Sequence, residues 1–230
     1  MKPHQDPMGA PAHGEQRTSS RNPTQRAGRV PAAQTGLDET ALLPASVSTP
    51  RLLLRCWEPA DVPAVARAIA ASIEHLRPWL AWTSNEPLPE DDTRALFKGW
   101  NHDRLQGGSA HYGIFLNGHV VGAIGLRRRG QPQEVEIGYW LHVDHTGNGY
   151  AREAAAAVTA MAVQRADVKT VIIRHDPDNL ASRLIPEELG FTPLATPPTT
   201  DDDEADQFWY TTRETWRPPD AAERPPRQTS

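Results

Sequence analysis

The sequence predicts a mixed α+β fold in which helices interrupt and cover a single sheet. Three observations carry this prediction. The apolar period switches repeatedly between strand-like and helix-like along residues 49–216. Two β-type runs flank Asn117-Gly118, a strong hairpin signal. A third β-type run, residues 135–143, ends in a turn with glycines at 147 and 149, and an alanine-rich helix begins at once.

Taken in order, residues 1–48 are dominated by Pro, Gly, Ala, Gln, Ser, Thr and Arg. They carry too few large apolar side chains to offset ordering entropy and read as a disordered tail. Leu52-Leu-Leu-Arg-Cys-Trp57 reads as a strand. Pro59 opens a helix whose apolar face is Val62, Val65, Ala66 and Ile69. Residues 72–82 read as a second, short helix that breaks near Pro78. Residues 90–105 place Leu96, Phe97, Trp100 and Leu105 at helical spacing, and Gly107-Gly108 ends that helix. The hairpin follows, with strands over 111–116 and 119–127.

The strand over 133–143 alternates: Val135, Ile137, Tyr139 and Leu141 face one way, and Glu134, Glu136, Gly138, Trp140 and His142 the other. Residues 150–166 form a helix with a small-residue inner side. Lys169-Thr-Val-Ile-Ile-Arg-His175 is a short buried strand. Asp176-Pro-Asp-Asn179 caps a helix ending at Gly190, and residues 191–194 and 207–214 close the sheet. Asp201-Asp-Asp-Glu204 between them reads as a solvated turn, and residues 217–230 as a second disordered tail. Residues 49–216 thus form one domain.

Composition narrows the function. A net charge of −5 argues against a dedicated nucleic-acid binder. No apolar run is long enough to span a bilayer, and the start of the chain lacks a signal core, so the expected compartment is cytoplasmic. Cys56 is the only cysteine, which excludes an internal disulfide and a cysteine-based metal cluster. The nine histidines are scattered without ligand spacing, so no metal site is expected.

The turn Val143-Asp-His-Thr-Gly-Asn-Gly-Tyr-Ala-Arg152 carries the most chemistry. A glycine turn opening a helix aims unpaired N–H groups, at the positive end of the helix dipole, towards one point suited to phosphate. It is no Walker loop, since Tyr150-Ala151 stands where Lys-Ser/Thr is needed. It is no dinucleotide fingerprint either, since Arg152 replaces the third glycine.

With these elements in this order, the chain resembles the GNAT superfamily of acyl-CoA-dependent N-acetyltransferases over residues 51–216. The segments that carry the resemblance are Arg51-Leu-Leu-Leu-Arg55 with Asp61, Glu134-Val-Glu-Ile-Gly-Tyr-Trp140, the glycine turn, and Asp178-Asn-Leu-Ala-Ser-Arg183 followed by Leu189-Gly-Phe191. His75-Leu-Arg-Pro-Trp-Leu-Ala-Trp82, Glu136-Ile-Gly-Tyr-Trp140 and Asn179-x-Ala-Ser182 look most like the branch that acetylates N-termini of ribosomal proteins. The resemblance implies a central, mostly antiparallel twisted sheet flanked by helices, acetyl-CoA as acetyl donor, and an amine as acceptor. That amine is a protein N-terminus or a small molecule; nucleic acid and membrane are not expected partners.

It also implies the site. Thr146, Gly147, Asn148, Gly149, Tyr150, Ala151 and Arg152 would hold the pyrophosphate. The peptide groups of Leu141, His142 and Val143 would meet the thioester and the pantetheine arm, whose amide Asn179 would also contact unless it is only a helix cap. Glu136 is the leading base, acting through water, or is only a surface or ion-paired strand residue, with His142 as runner-up for the base. Ser182 would supply the thiolate's proton, or serve only as a helix-end serine. Trp79, Trp82 and Trp140 would wall the acceptor pocket; Trp79 and Trp82 could equally be core. Two departures stand out. Asp144 occupies a position where Arg or Gln is usual, and Pro186 replaces a tyrosine that in many relatives protonates the thiolate. Pro186 should also kink its helix. A module that binds CoA without turnover is the alternative these departures leave open.

Overall fold

Two residues with positive φ, Asn117 (50°) and Gly118 (81°), turn the chain between β3 (Ala110–Leu116) and β4 (His119–Arg128). Positive φ at both central residues matches the twist of the flanking strands. This hairpin organises the sheet. The computed structural model describes residues 42–128, 133–194 and 206–219. Among these, the strands lie in the order β1 (Ser46–Ser48), β2 (Leu53–Cys56), β3, β4, β5 (Glu134–Leu141), β6 (Thr170–His175), β8 (Gln207–Thr212), β7 (Thr192–Pro193). Only β5 and β6 run parallel. The mostly antiparallel mixed sheet is as predicted.

Each face of the sheet is covered. The helix α3 (Tyr150–Gln164) buries Ala151, Ala154, Ala155, Val158 and Ala162 against the side of β5 that carries Val135 and Ile137. Its small side chains let it approach closely. On the other side, α1 (Val62–Leu76) and α2 (Glu90–Leu105) pack Val65, Ile69, Phe97 and Trp100 around Trp57, Ala123 and Trp140. The run Val171-Ile172-Ile173 of β6 is buried on both faces, which explains its unbroken apolar character. The shorter α4 (Leu180–Glu188) follows β6.

Two sequence-based boundaries are corrected. Residues 72–82 are not a separate helix: α1 runs unbroken to Leu76. Its stripe of Val62, Val65, Ile69 and Leu76 is continuous, and Ser72 on that stripe bonds back to the Ala68 carbonyl (2.8 Å) without breaking the helix. The helix ends just before Pro78, and a 3-10 turn over Ala81–Asn85 follows. The folded part also begins before residue 49. Leu43 is buried, β1 pairs with β2, and the Tyr112 hydroxyl donates to the Pro44 carbonyl (2.8 Å). An edge strand held by main-chain bonds leaves little trace in composition. The rest of the tail assignments, residues 1–41 and 220–230, and the acidic turn 201–204 lie outside the described residues.

One core residue predicts how stability responds to pH. His111 is buried in β3 and stacks on Trp100 (ring centroids 4.6 Å), and its Nδ1 has no partner among the described residues. Burial, reinforced by the charge of Arg127, pushes its pKa down to about 3. The unfolded chain takes up a proton near the usual histidine value, about 6.5. Stability is therefore fully present above about 6.5 and falls as pH drops towards 3, by about 1.4 kcal/mol per pH unit. Urea unfolding of His111→Phe is expected to lose about 2 kcal/mol less than wild type between pH 7 and pH 5. An unchanged pH slope would show that His111 is protonated in the fold.

Candidate active site

The parallel pairing of β5 with β6 runs from Glu134–Thr170 to Ile137–Ile173 and stops. On its other edge β5 stays paired with β4 as far as Leu141–Gly122. Among the described residues, the last half of β5 therefore has one free edge. The His142 N–H donates to the Val121 carbonyl (2.9 Å), so by alternation the peptide groups of Tyr139 and Leu141 face the opening. Beside this point β4 carries a bulge: Ile114 pairs with Gly122 and Phe115 with Val120, which leaves Val121 extra. The opening is a cleft of 690 Å³, lined by the free edge, the glycine turn, the start of α3 and the inner face of α4. That volume lies in the usual range for small-ligand sites.

The glycine turn sits at the mouth of the cleft. Gly147 (φ 70°) and Gly149 (φ 75°) are both left-handed, and Gly149 is the residue from which α3 starts. A Cβ at either position would be strained. The turn is braced from within: Thr146 Oγ1 donates to the Val143 carbonyl (2.9 Å), and Asn148 Nδ2 donates to the Thr146 carbonyl (3.0 Å). Among the described residues, no protein acceptor meets the backbone N–H groups of residues 147–152. Six unpartnered donors at a helix start suit the pyrophosphate of CoA, and the free strand edge suits its amide-bearing arm.

Sequence-predicted positions divide. Gly147, Gly149, Ala151, Arg152, Leu141, Asn179, Ser182, Glu136, Trp79, Trp82 and Trp140 all line the cleft, and Thr146 joins them. His142 and Val143 do not offer free peptide groups. The His142 N–H is taken by Val121 and its carbonyl by the His145 N–H. The Val143 N–H donates to Ser72 Oγ (3.1 Å) on α1, and its carbonyl holds Thr146. Of the three, only Leu141 keeps an N–H facing the cleft. The His142 ring is likewise engaged, with Nδ1 accepting from the Asp144 N–H (3.2 Å) and the ring edge-on to His145 (5.5 Å). The turn itself claims the two carbonyls and the ring, while β4 and α1 claim the two N–H groups, and neither set of bonds is visible in strand alternation.

Glu136 lies buried on the cleft floor. Its Oε1 accepts from Arg127 Nη2 (2.6 Å), the residue directly across the strand pair, and from Arg174 Nε (3.2 Å) on β6. Arg174 is further tied to Asp206 (2.9 Å). Trp82 and Trp140 stand with ring centroids 6.3 Å apart, and both are buried. They line the cleft on one side and, on the other, a cavity of 260 Å³ between α1 and α2 walled by Trp57, Ile69, Phe97 and Trp100. Trp79 is 37% exposed at the rim, outside the core. Asn179 Oδ1 accepts from the Ser182 N–H (3.0 Å) and so caps α4 while facing the cleft. Arg152 spans the mouth to Glu188 on α4 (3.1 Å), so its charge is shared with a carboxylate.

Sequence reasoning missed the clamp that holds the glycine turn. Arg51 donates through Nε to Glu153 (2.6 Å) and through Nη1 to the Asn148 carbonyl (3.0 Å), and lies 4.6 Å over the Tyr150 ring. The Arg51 N–H (2.9 Å) and Thr49 Oγ1 (2.5 Å) also reach Glu153. Burial opposes the ionised form of Glu153, but these bonds outweigh it and hold the carboxyl below its ordinary range. A glutamate in the first turn of a helix was a legible signal. Its partner, some hundred residues away, was not.

A family model described as an acetyltransferase (GNAT) domain matches residues 51–192. The "Putative ribosomal N-acetyltransferase YdaF" of Bacillus subtilis (strain 168) is 25% identical over 141 residues, 61% of this chain and 77% of that protein. The ribosomal-protein-serine acetyltransferase of Escherichia coli (strain K12) is 29% identical over 118 residues, 49% of this chain and 65% of that protein. The structure of RimL, a ribosomal L7/L12 alpha-N-protein acetyltransferase in complex with coenzyme A, superposes with a TM-score of 0.63 at 21% identity. It covers 76% of this chain and 99% of its own.

Proposed function

Because the chain belongs to the GNAT acetyltransferases, we propose that it transfers the acetyl group of acetyl-CoA to the primary amine of a protein N-terminus. The observation that carries the cofactor is the half-strand 138–141, open on one edge and lining the same cleft as the turn with the unpartnered N–H groups of residues 147–152. The protein acceptor is supported by relatives named for ribosomal proteins. A small amine is the competing acceptor.

Bound acetyl-CoA supplies an activated acetyl thioester; the chain supplies position and protons. The N–H groups of residues 147–152 hold the pyrophosphate with little help from side chains, since Arg152 is shared with Glu188. The Leu141 N–H polarises the thioester carbonyl, a preorganised donor acting where charge develops. Glu136 accepts, through water, the proton that the attacking ammonium must lose, with Arg127 and Arg174 fixing its carboxylate. Ser182 Oγ returns a proton to the departing sulfur. Trp82 and Trp140 keep bulk water from the reacting nitrogen.

The test is thiol release from acetyl-CoA, with mass analysis of the acceptor, for peptides bearing N-terminal serine or alanine against a panel of small amines. Peptide acetylation is the expected result. Turnover confined to small amines would move the acceptor, and CoA binding without any turnover would make the chain a non-catalytic module. Within the same assay, Ser182→Ala is expected to lower kcat about tenfold or more with little change in KM for acetyl-CoA. An unchanged kcat would leave Ser182 only its place at the start of α4.

A further inference from the structure

Pro186 stands inside α4, buried, and removes two things at once. It has no acidic proton, and it lacks the N–H that would bond the carbonyl four residues earlier. That carbonyl belongs to Ser182. It is not left without a donor: the Tyr139 hydroxyl donates to it at 3.2 Å and lies 3.1 Å from Ser182 Oγ. Tyr139 comes from β5, on the half-strand whose edge is free, and lines the same cleft as Ser182. A phenol therefore reaches the proton-donating position from the sheet rather than from the helix. An N–H at position 186 would compete for the Ser182 carbonyl; proline leaves that carbonyl to the tyrosine.

We propose that Tyr139 is the positioning residue for Ser182, holding its hydroxyl ready to protonate the departing CoA sulfur, and that Pro186 keeps the site open for it. This rests on Ser182 being the proton donor. While Tyr139 donates to the Ser182 carbonyl, its oxygen can accept the Ser182 O–H and hold that side chain in one rotamer. As charge develops on sulfur, Ser182 turns its proton to it and Tyr139 donates to Ser182 Oγ instead. Ser182 gives its proton to the sulfur and regains one from the acceptor nitrogen as the amide forms, the second that nitrogen loses after Glu136 has taken the first, so protons balance over the cycle. Tyr139 keeps its own proton throughout, and burial, which raises its pKa well above the usual phenol value, favours this.

The test needs no acceptor. Ionisation of the thiol of bound CoA is followed by thiolate absorbance against pH, alongside calorimetric CoA affinity and thermal stability. In the wild type, the bound thiol should ionise about one pH unit below free CoA, roughly tenfold more thiolate at a given pH. Ser182→Ala should abolish this shift. Tyr139→Phe, which removes one oxygen, should remove at least half of it while CoA affinity stays within about threefold. Adding Tyr139→Phe to Ser182→Ala should change nothing further, because the two act as one unit. Pro186→Ala supplies the missing N–H; combined with Tyr139→Phe it should restore thermal stability but not the thiolate shift. A shift that returns together with stability, or one that survives Tyr139→Phe while Ser182→Ala abolishes it, would overturn the proposal and leave Tyr139 a structural hydrogen bond. A shift untouched by Ser182→Ala would instead sink Ser182 as the donor.

Discussion

Glu136→Gln is expected to lower turnover by about 10²–10⁴-fold, the usual contribution of a positioned general base. It is also expected to cost stability, because two guanidiniums, Arg127 and Arg174, converge on one carboxylate oxygen that is almost wholly buried. Hydrogen bonds to charged groups are each worth about 1.5–3 kcal/mol. Glutamine keeps an acceptor but loses the charge, so a fall in Tm of roughly 5–10 °C is expected. The two effects separate cleanly. Turnover is measured well below the lowered Tm, on protein shown to be folded by circular dichroism. If folded Glu136→Gln turns over like the wild type, the carboxylate is only an anchor for the arginines and the base lies elsewhere.

Gly149→Val should raise the Kd for acetyl-CoA by roughly 10–100-fold, measured by calorimetry. A side chain in the left-handed region costs about 1–2 kcal/mol on its own. Here the chain must either bear that strain or re-form the start of α3, and either outcome disturbs the N–H groups of residues 147–152. Because Arg152 is shared with Glu188, and the Thr146 and Asn148 side chains are bonded within the turn, few side-chain contacts remain to compensate. Wild-type affinity in a folded Gly149→Val protein would mean that the phosphates are held somewhere other than this turn.

Much of this was legible beforehand because it depends on neighbours in the chain. Alternation in residues 134–141 correctly put Glu136 and Trp140 on one face and Tyr139 and Leu141 on the other. The hairpin at Asn117-Gly118 and the helix start after Gly149 followed from dihedral preference alone. The withdrawal of His142 and Val143 was not legible, since it depends on Ser72 in α1 and on Val121 across the strand pair. Nor was the role open to Pro186. In sequence it appears only as a lost hydrogen bond and a missing phenol.

By itself, then, the sequence determined the class of fold, the order of its elements and the glycine turn, because periodicity, turn dihedrals and helix starts are set over a few residues. The tertiary structure alone decided where β5 parts from β6, which peptide groups are left for a ligand, that Arg51 clamps Glu153, and that Tyr139 meets the carbonyl Pro186 leaves unbonded. Those outcomes rest on pairings between groups from about 20 to 100 residues apart in the chain. Closing such long loops costs little more than closing short ones, so no local pattern marks which partners will meet.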